Sequence, residues 1–116
     1  MGISVGTDIV MVARMQSITK AHFFTEAELL SPVQTDEHFA GLFAAKEAFV
    51  KAIKTGFGRI RPLDISVLKT ESGAPYLVLS DKLQADYAHL SFDVSISHSG
   101  GFATAVVIAF PNAQVG

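Results

Sequence analysis

Hydrophobic positions recur with a helical period across Phe39–Lys54, and shorter β-like runs lie on either side of it. With Glu47 at zero on a wheel of 100° per residue, Leu42, Ala45, Phe49, Ala52 and Ile53 fall between about 140° and 240°. That is a core-facing stripe. Glu47, Lys51 and Lys54 fall within about 40° of zero, and Phe43, Ala40 and Ala44 share their side. An ionisable face framed by small and aromatic residues predicts a helix covered on both sides. Thr35 or Asp36 can cap its start, and Gly56 can end it.

The flanking segments read as short elements. Residues 3–10 form an apolar strand interrupted at Gly6 and Asp8, where a glycine marks a bulge or a close backbone approach. Met11 to about Thr19 can continue as a short helix. Thr25 followed by Glu28 has the spacing of a capping box, and Pro32 would end that helix. Phe57–Pro62 reads as a loop, Ile65–Leu68 and Tyr76–Leu79 as strands joined through Glu71–Pro75. Ser80 or Asp81 can cap a helix to about His89. Phe92–His98 and Phe102–Phe110 flank Ser99-Gly100-Gly101, the turn chemistry of a β-hairpin. Together these elements predict an α+β domain over residues 1–116, a long helix packed on a mostly antiparallel sheet.

Composition narrows the class. A chain of 116 residues supports one modest core, and a 49% hydrophobic content is high for so short a chain, which points to subunit burial or a dense core. No apolar run approaches the roughly 18 residues of a membrane span, and no signal-peptide pattern opens the chain, so a cytoplasmic protein is expected. With no cysteine, disulfides, thiolate nucleophiles and cysteine metal clusters are excluded. The net charge of −2 argues against nucleic-acid binding. Yet Lys46, Lys51, Lys54, Arg59 and Arg61 lie close together, opposed there only by Glu47. That suits a small polyanion such as a phosphorylated metabolite, or a lysine-rich helix end favoured by the dipole.

Asp8 is a carboxylate within an apolar run, and burying it requires a cation, hydrogen-bond donors or a metal, unless it caps the next segment. Glu47 and Lys51, at i and i+4, can form a surface ion pair. Alternatively Asp8 and Glu47 hold a hard cation, with lysines nearby on the phosphates that complete its shell. Spacing leaves these readings open. His98 at a hairpin tip belongs to no hydrolase signature, Gly100-Gly101 is explained by positive φ, and Gly56-Phe57-Gly58 is a weak phosphate-loop signal.

Three blocks, Val5-Gly-Thr-Asp-Ile-Val10, Phe43-Ala-Ala-Lys-Glu-Ala-Phe49 with Lys51, and Val94-Ser-Ile-Ser-His-Ser99, resemble the holo-acyl-carrier-protein synthase family of 4′-phosphopantetheinyl transferases. Gly73-Ala-Pro-Tyr76 is similar to the family's Gly-x-Pro segment. The resemblance implies transfer of the 4′-phosphopantetheine arm of coenzyme A to a serine of an apo acyl carrier protein, releasing adenosine 3′,5′-bisphosphate. It implies Mg²⁺, a homotrimer with active sites at subunit interfaces, and a place in fatty-acid biosynthesis and lipid metabolism, with the carrier's own pathway left open. By motif, Asp8 and Glu47 match the metal-binding carboxylates, Lys51 the lysine near the pyrophosphate, and His98 a histidine at the coenzyme A site. Lys46, Arg59 and Arg61 are expected contacts to other coenzyme A phosphates. The serine proton is expected to leave to Glu47 or through a metal-bound water.

Two departures from the family pattern stand out. The segment from Met11 to Glu26 is shorter than usual, with Met11 where an acidic residue often stands. Arg14 is kept there and can pair with a carrier carboxylate. Leu42 stands where many relatives have arginine, which removes one phosphate contact. The competing readings are a non-catalytic oligomeric module that keeps the coenzyme A pocket, and an unrelated phosphate-ester hydrolase using the same carboxylates.

Overall fold

The computed structural model describes residues 2–54 and 59–113. In chain order these form strand β1 (Ser4–Met11), 3-10 turns at Val12–Ser17 and Lys20–His22, helix α1 (Glu26–Leu29) and helix α2 (Asp36–Ile53). A 3-10 turn at Pro62–Asp64 leads to strands β2 (Ile65–Lys69) and β3 (Pro75–Leu79), helix α3 (Asp81–Asp86), and strands β4 (Leu90–Ser99) and β5 (Phe102–Pro111). The strands make two antiparallel sheets, one of order β1-β5-β4 and the other the β2–β3 hairpin.

Alternation decides which face of the larger sheet is dry. Ala103, Ala105, Val107 and Ala109 of β5 are buried, while Phe102, Val106 and Ile108 point outward. The alanines leave room for α2, which lies across the inner face. β1 approaches α2 closely at Gly6, whose missing side chain would collide with the backbone of Ala48. Ser4 Oγ donates to the Ala52 carbonyl at 2.6 Å and ties the same strand to the same helix. The glycine therefore marks a close approach without any bulge: the β1–β5 register runs unbroken from Ser4↔Ala109 to Met11↔Phe102.

Helix α2 starts at Thr35, whose hydroxyl accepts from the His38 amide at 3.2 Å, with Asp36 and Glu37 in the first turn to favour the dipole. Within it only Glu37 and Lys51 are exposed, so the two-sided burial read from the wheel holds along most of its length. Phe39 and Phe49 are fully buried, each contributing roughly 1.5–3 kcal/mol relative to exposure. The helix ends with Lys54 in the left-handed region, φ 64°. The Gly56 stop and the Gly56-Phe57-Gly58 signal lie outside the described residues.

Elsewhere the local readings shift by short stretches. Met11 closes β1, and the chain then makes a 3-10 turn ending at Ser17 instead of a helix, since Met11 offers no capping side chain. Helix α3 stops at Asp86 and β4 begins at Leu90. Gly100 and Gly101 have φ of 59° and 82°, the signature of a type I′ hairpin turn between paired Ser99 and Phe102.

On the outer face of the larger sheet β1 and β5 present a mostly apolar strip, interrupted by Thr7 and Thr104, while β4 presents Asp93, Ser95, Ser97 and Ser99. Val5, Ile9 and Met11 of β1 are 57%, 66% and 59% exposed, beside Phe102, Val106 and Ile108 of β5.

Candidate active site

Asp8 sits on the inner face of β1, one inward position beyond Gly6, so the backbone contact at Gly6 sets its distance from α2. Lys51 reaches across from the last turn of that helix. Its ammonium donates to Asp8 Oδ1 at 3.0 Å and to the Thr7 carbonyl at 3.1 Å. The ion pair of Lys51 is thus with the strand, across the fold.

Glu47 lies one turn earlier on the same edge of α2, partly buried. Its pKa is raised, first by burial and then by the neighbouring Asp8 charge, with Lys51 and Arg14 opposing. Arg14 enters from the turn after β1 and lays its guanidinium over the Phe43 ring, 5.0 Å from the centroid. Two carboxylates and two cations from β1, the adjoining turn and α2 therefore converge at one sheet–helix edge.

The donor chemistry fits Mg²⁺. Asp8 and Glu47 supply hard anionic oxygens close enough to repel, a repulsion that a divalent cation would relieve. Mg²⁺ commonly takes one or two carboxylates, with waters and phosphates completing its shell. Among the described residues no third His, Cys, Asp or Glu joins this pair.

His98 stands apart from this group. Its Nδ1 lies 3.4 Å from Glu37 Oε2, at the N-terminal end of α2. Ten residues separate Glu37 from Glu47, about 15 Å of helix. Between α2 and the β2–β3 hairpin, His98 helps to line a cleft of about 630 Å³ with His38, Lys69, Glu71 and Tyr76. His38 Nε2 is buried there with no hydrogen-bond partner, and its pKa is lowered by burial and then by Lys69.

Lys46 does not join the exposed basic group expected to meet phosphates. Its side chain is 1% exposed, and its ammonium is 2.6 Å from Glu28 Oε1. The cause is position: one residue before Glu47, Lys46 points 100° away, under α1. Arg59 and Arg61 remain exposed, Arg61 loosely paired with Asp64 at 3.9 Å. Leu42 is 1% exposed, a core side chain, and Met11 lies on the outer sheet face.

Glu28 is the residue that sequence reasoning underused. Its capping box with Thr25 is present as spaced, but the same carboxylate is also buried. The available signal was Lys46, a lysine bordering the apolar stripe, which needs a buried anion.

Residues 4–107 match the family model of the 4′-phosphopantetheinyl transferase superfamily. The holo-[acyl-carrier-protein] synthase of Sulfurovum sp. is 38% identical over 109 residues, spanning 88% of this chain and 92% of the relative. The Helicobacter pylori synthase, in its crystal structure with coenzyme A, superposes with a TM-score of 0.81 at 36% identity. That match covers 90% of this chain and 98% of the other. A Bacillus anthracis synthase in complex with CoA (3′,5′-ADP) gives a TM-score of 0.81 at 33% identity, covering 97% and 100%.

Proposed function

This chain belongs to the 4′-phosphopantetheinyl transferase superfamily, and on that premise we propose that Asp8, Glu47 and Lys51 are its catalytic centre. The enzyme transfers the 4′-phosphopantetheine group from coenzyme A to a serine of an apo acyl carrier protein and releases adenosine 3′,5′-bisphosphate. One observation carries the assignment: residues 8, 14, 47 and 51 meet at one edge although they come from three separate segments.

The serine oxygen forms a new bond to the pantetheine-side phosphorus, and the bond from that phosphorus to the oxygen shared with the adenosine-side phosphate breaks. The serine proton has two routes, to Glu47 or to a water beside it; the raised pKa of Glu47, set by burial and then by the Asp8 charge, is that of the metal-free site. Lys51 neutralises charge gathering on the departing phosphate. Asp8 and Glu47 would hold Mg²⁺, which when bound supplies Lewis-acid polarisation of the phosphate oxygens. Arg59 and Arg61 meet further coenzyme A phosphates, His98 and its cleft take part of the nucleotide, and Arg14 meets a carboxylate of the carrier.

Residues 1–116 act as one transferase domain within a homotrimer with active sites at subunit interfaces. The outward apolar face of β1 and β5 supports this, as does the separation of His98 from Glu47 along one helix. No helix among the described residues is long and apolar enough to cross a membrane. We place the enzyme in the cytoplasm, in fatty-acid biosynthesis.

The test combines protein, Mg²⁺, coenzyme A and apo carrier, and weighs the carrier intact. A pantetheine-sized gain that vanishes in Glu47→Gln is expected. Coenzyme A bound without any gain across several carriers would sink the reading in favour of a binding module, and its breakdown without carrier would favour a hydrolase.

A further inference from the structure

We propose that the buried Lys46–Glu28 pair is a positioning device for coenzyme A binding, anchoring the arm that carries Arg59 and Arg61 to helix α2. It rests on the reading that this arm meets coenzyme A phosphates.

The pair is saturated with hydrogen bonds. Lys46 Nζ donates to Glu28 Oε1 at 2.6 Å, to the Phe23 carbonyl at 2.7 Å and to the Pro62 carbonyl at 3.0 Å. Those contacts use all three of its N–H bonds. Glu28 Oε1 also accepts the Thr25 amide at 2.8 Å, and Oε2 accepts the Val67 amide at 2.9 Å. One ion pair thereby joins α2 to the segment before α1, to β2, and to the residue directly after Arg61.

Stability alone does not explain such a pair. Burial pushes the Lys46 ammonium below its ordinary pKa against the pull of Glu28, so the charges are held at a desolvation cost. Apolar side chains of equal volume often stabilise a core as well or better. The charged pair adds direction: each bond fixes a backbone atom. Pro62 has no amide hydrogen, so its carbonyl is its one main-chain hydrogen-bonding group. Beyond it the arm is closed by the Asp64 carboxylate, which accepts the Arg61 amide at 3.0 Å. The two arginines therefore stand on a short arm held by Lys46 at the Pro62 carbonyl, by Lys82 at the Arg59 carbonyl at 3.0 Å, and by Ile60 buried between them.

The Glu47 group is suspended differently. Asp8 is placed by the Gly6–Ala48 contact and the Ser4–Ala52 hydrogen bond, neither of which involves Lys46. Releasing the pair should loosen phosphate binding and spare the chemical step.

The variant to make is Lys46→Met with Glu28→Gln, which removes both charges and leaves an amide oxygen for Val67 or Thr25. In the transfer assay the KM for coenzyme A is expected to rise about tenfold, with kcat within about twofold. A cooperatively folded double variant with unchanged KM overturns the proposal. Should it not fold, amide exchange on the wild type decides. Coenzyme A should slow the Val67 and Thr25 amides together with residues 59–64, and no change at Val67 and Thr25 overturns the proposal. Arg59→Ala with Arg61→Ala separates the two readings. If that variant leaves KM unchanged, the arm reading fails; if it raises KM while the charge-free pair does not, only the positioning role fails.

Discussion

Gly6 and Ala48 touch backbone to backbone: a β-carbon on Gly6 would run into the Ala48 carbonyl oxygen and stand 2.5 Å from the Ala52 amide nitrogen. Neither obstacle can rotate away. Gly6→Ala is expected to push β1 off the helix, costing about 3 kcal/mol in urea unfolding and at least tenfold in transfer, because Asp8 retreats with the strand. Gly41→Ala is the comparison. There the new carbon meets Ile96 Cγ2 at 2.8 Å, the end of a side chain that can turn, so a smaller loss is expected.

Glu47 is raised by burial and by Asp8, so in metal-free protein the folded state holds its proton to higher pH than the unfolded chain does. Across that window the folded state binds more protons, and stability falls as pH rises from the ordinary carboxylate range through the folded pKa. Glu47→Gln should therefore melt higher than wild type at neutral pH and show little gain near pH 4. An equal gain at both pH values would contradict this.

If Asp8 and Glu47 hold Mg²⁺, binding to the folded state alone raises the melting temperature by mass action. Wild-type protein should gain a few degrees at about ten times the metal's Kd, and Asp8→Asn should gain none. Chelation with EDTA should stop transfer, and added Mg²⁺ should restore it.

Ile9 is 66% exposed on the outer face of β1, an edge strand of the larger sheet. In a homotrimer that face is covered, so Ile9→Asp should shift the light-scattering mass from three chains towards one with the circular dichroism unchanged. Transfer should fall in the same variant if active sites lie between subunits. A wild type that is already a monomer at assay concentration would remove the interface reading.

Sequence reading carried far where one local rule acts alone. The Thr25–Glu28 box, the cap at Thr35 and the Gly100-Gly101 turn each depend on neighbours a few residues away, and each is present. The wheel also separated the Glu47 face from the core stripe. It failed at Lys46, because a wheel ranks faces by polarity and cannot tell a lysine in water from one facing a buried carboxylate 18 residues earlier. It could not place Asp8 against Lys51 either, since that contact depends on how β1 packs across the helix. The wheel also gave no sign that the left-handed residue closing α2 would be Lys54, which is not a glycine.

The pairing of β1 with β5 has a consequence for how the protein is made. Asp8 lies opposite Ala105, in a strand that neighbours the last one of the fold, nearly a hundred residues later in synthesis. Closing so long a loop is entropically costly, and contacts of that separation form late. On the ribosome, helix α2 can emerge and coil long before its partner strand has an edge to join. The carboxylate pair should therefore assemble only after residues 102–111 have left the exit tunnel. A nascent chain stopped short of them would carry Asp8, Glu47 and Lys51 without the geometry that joins them.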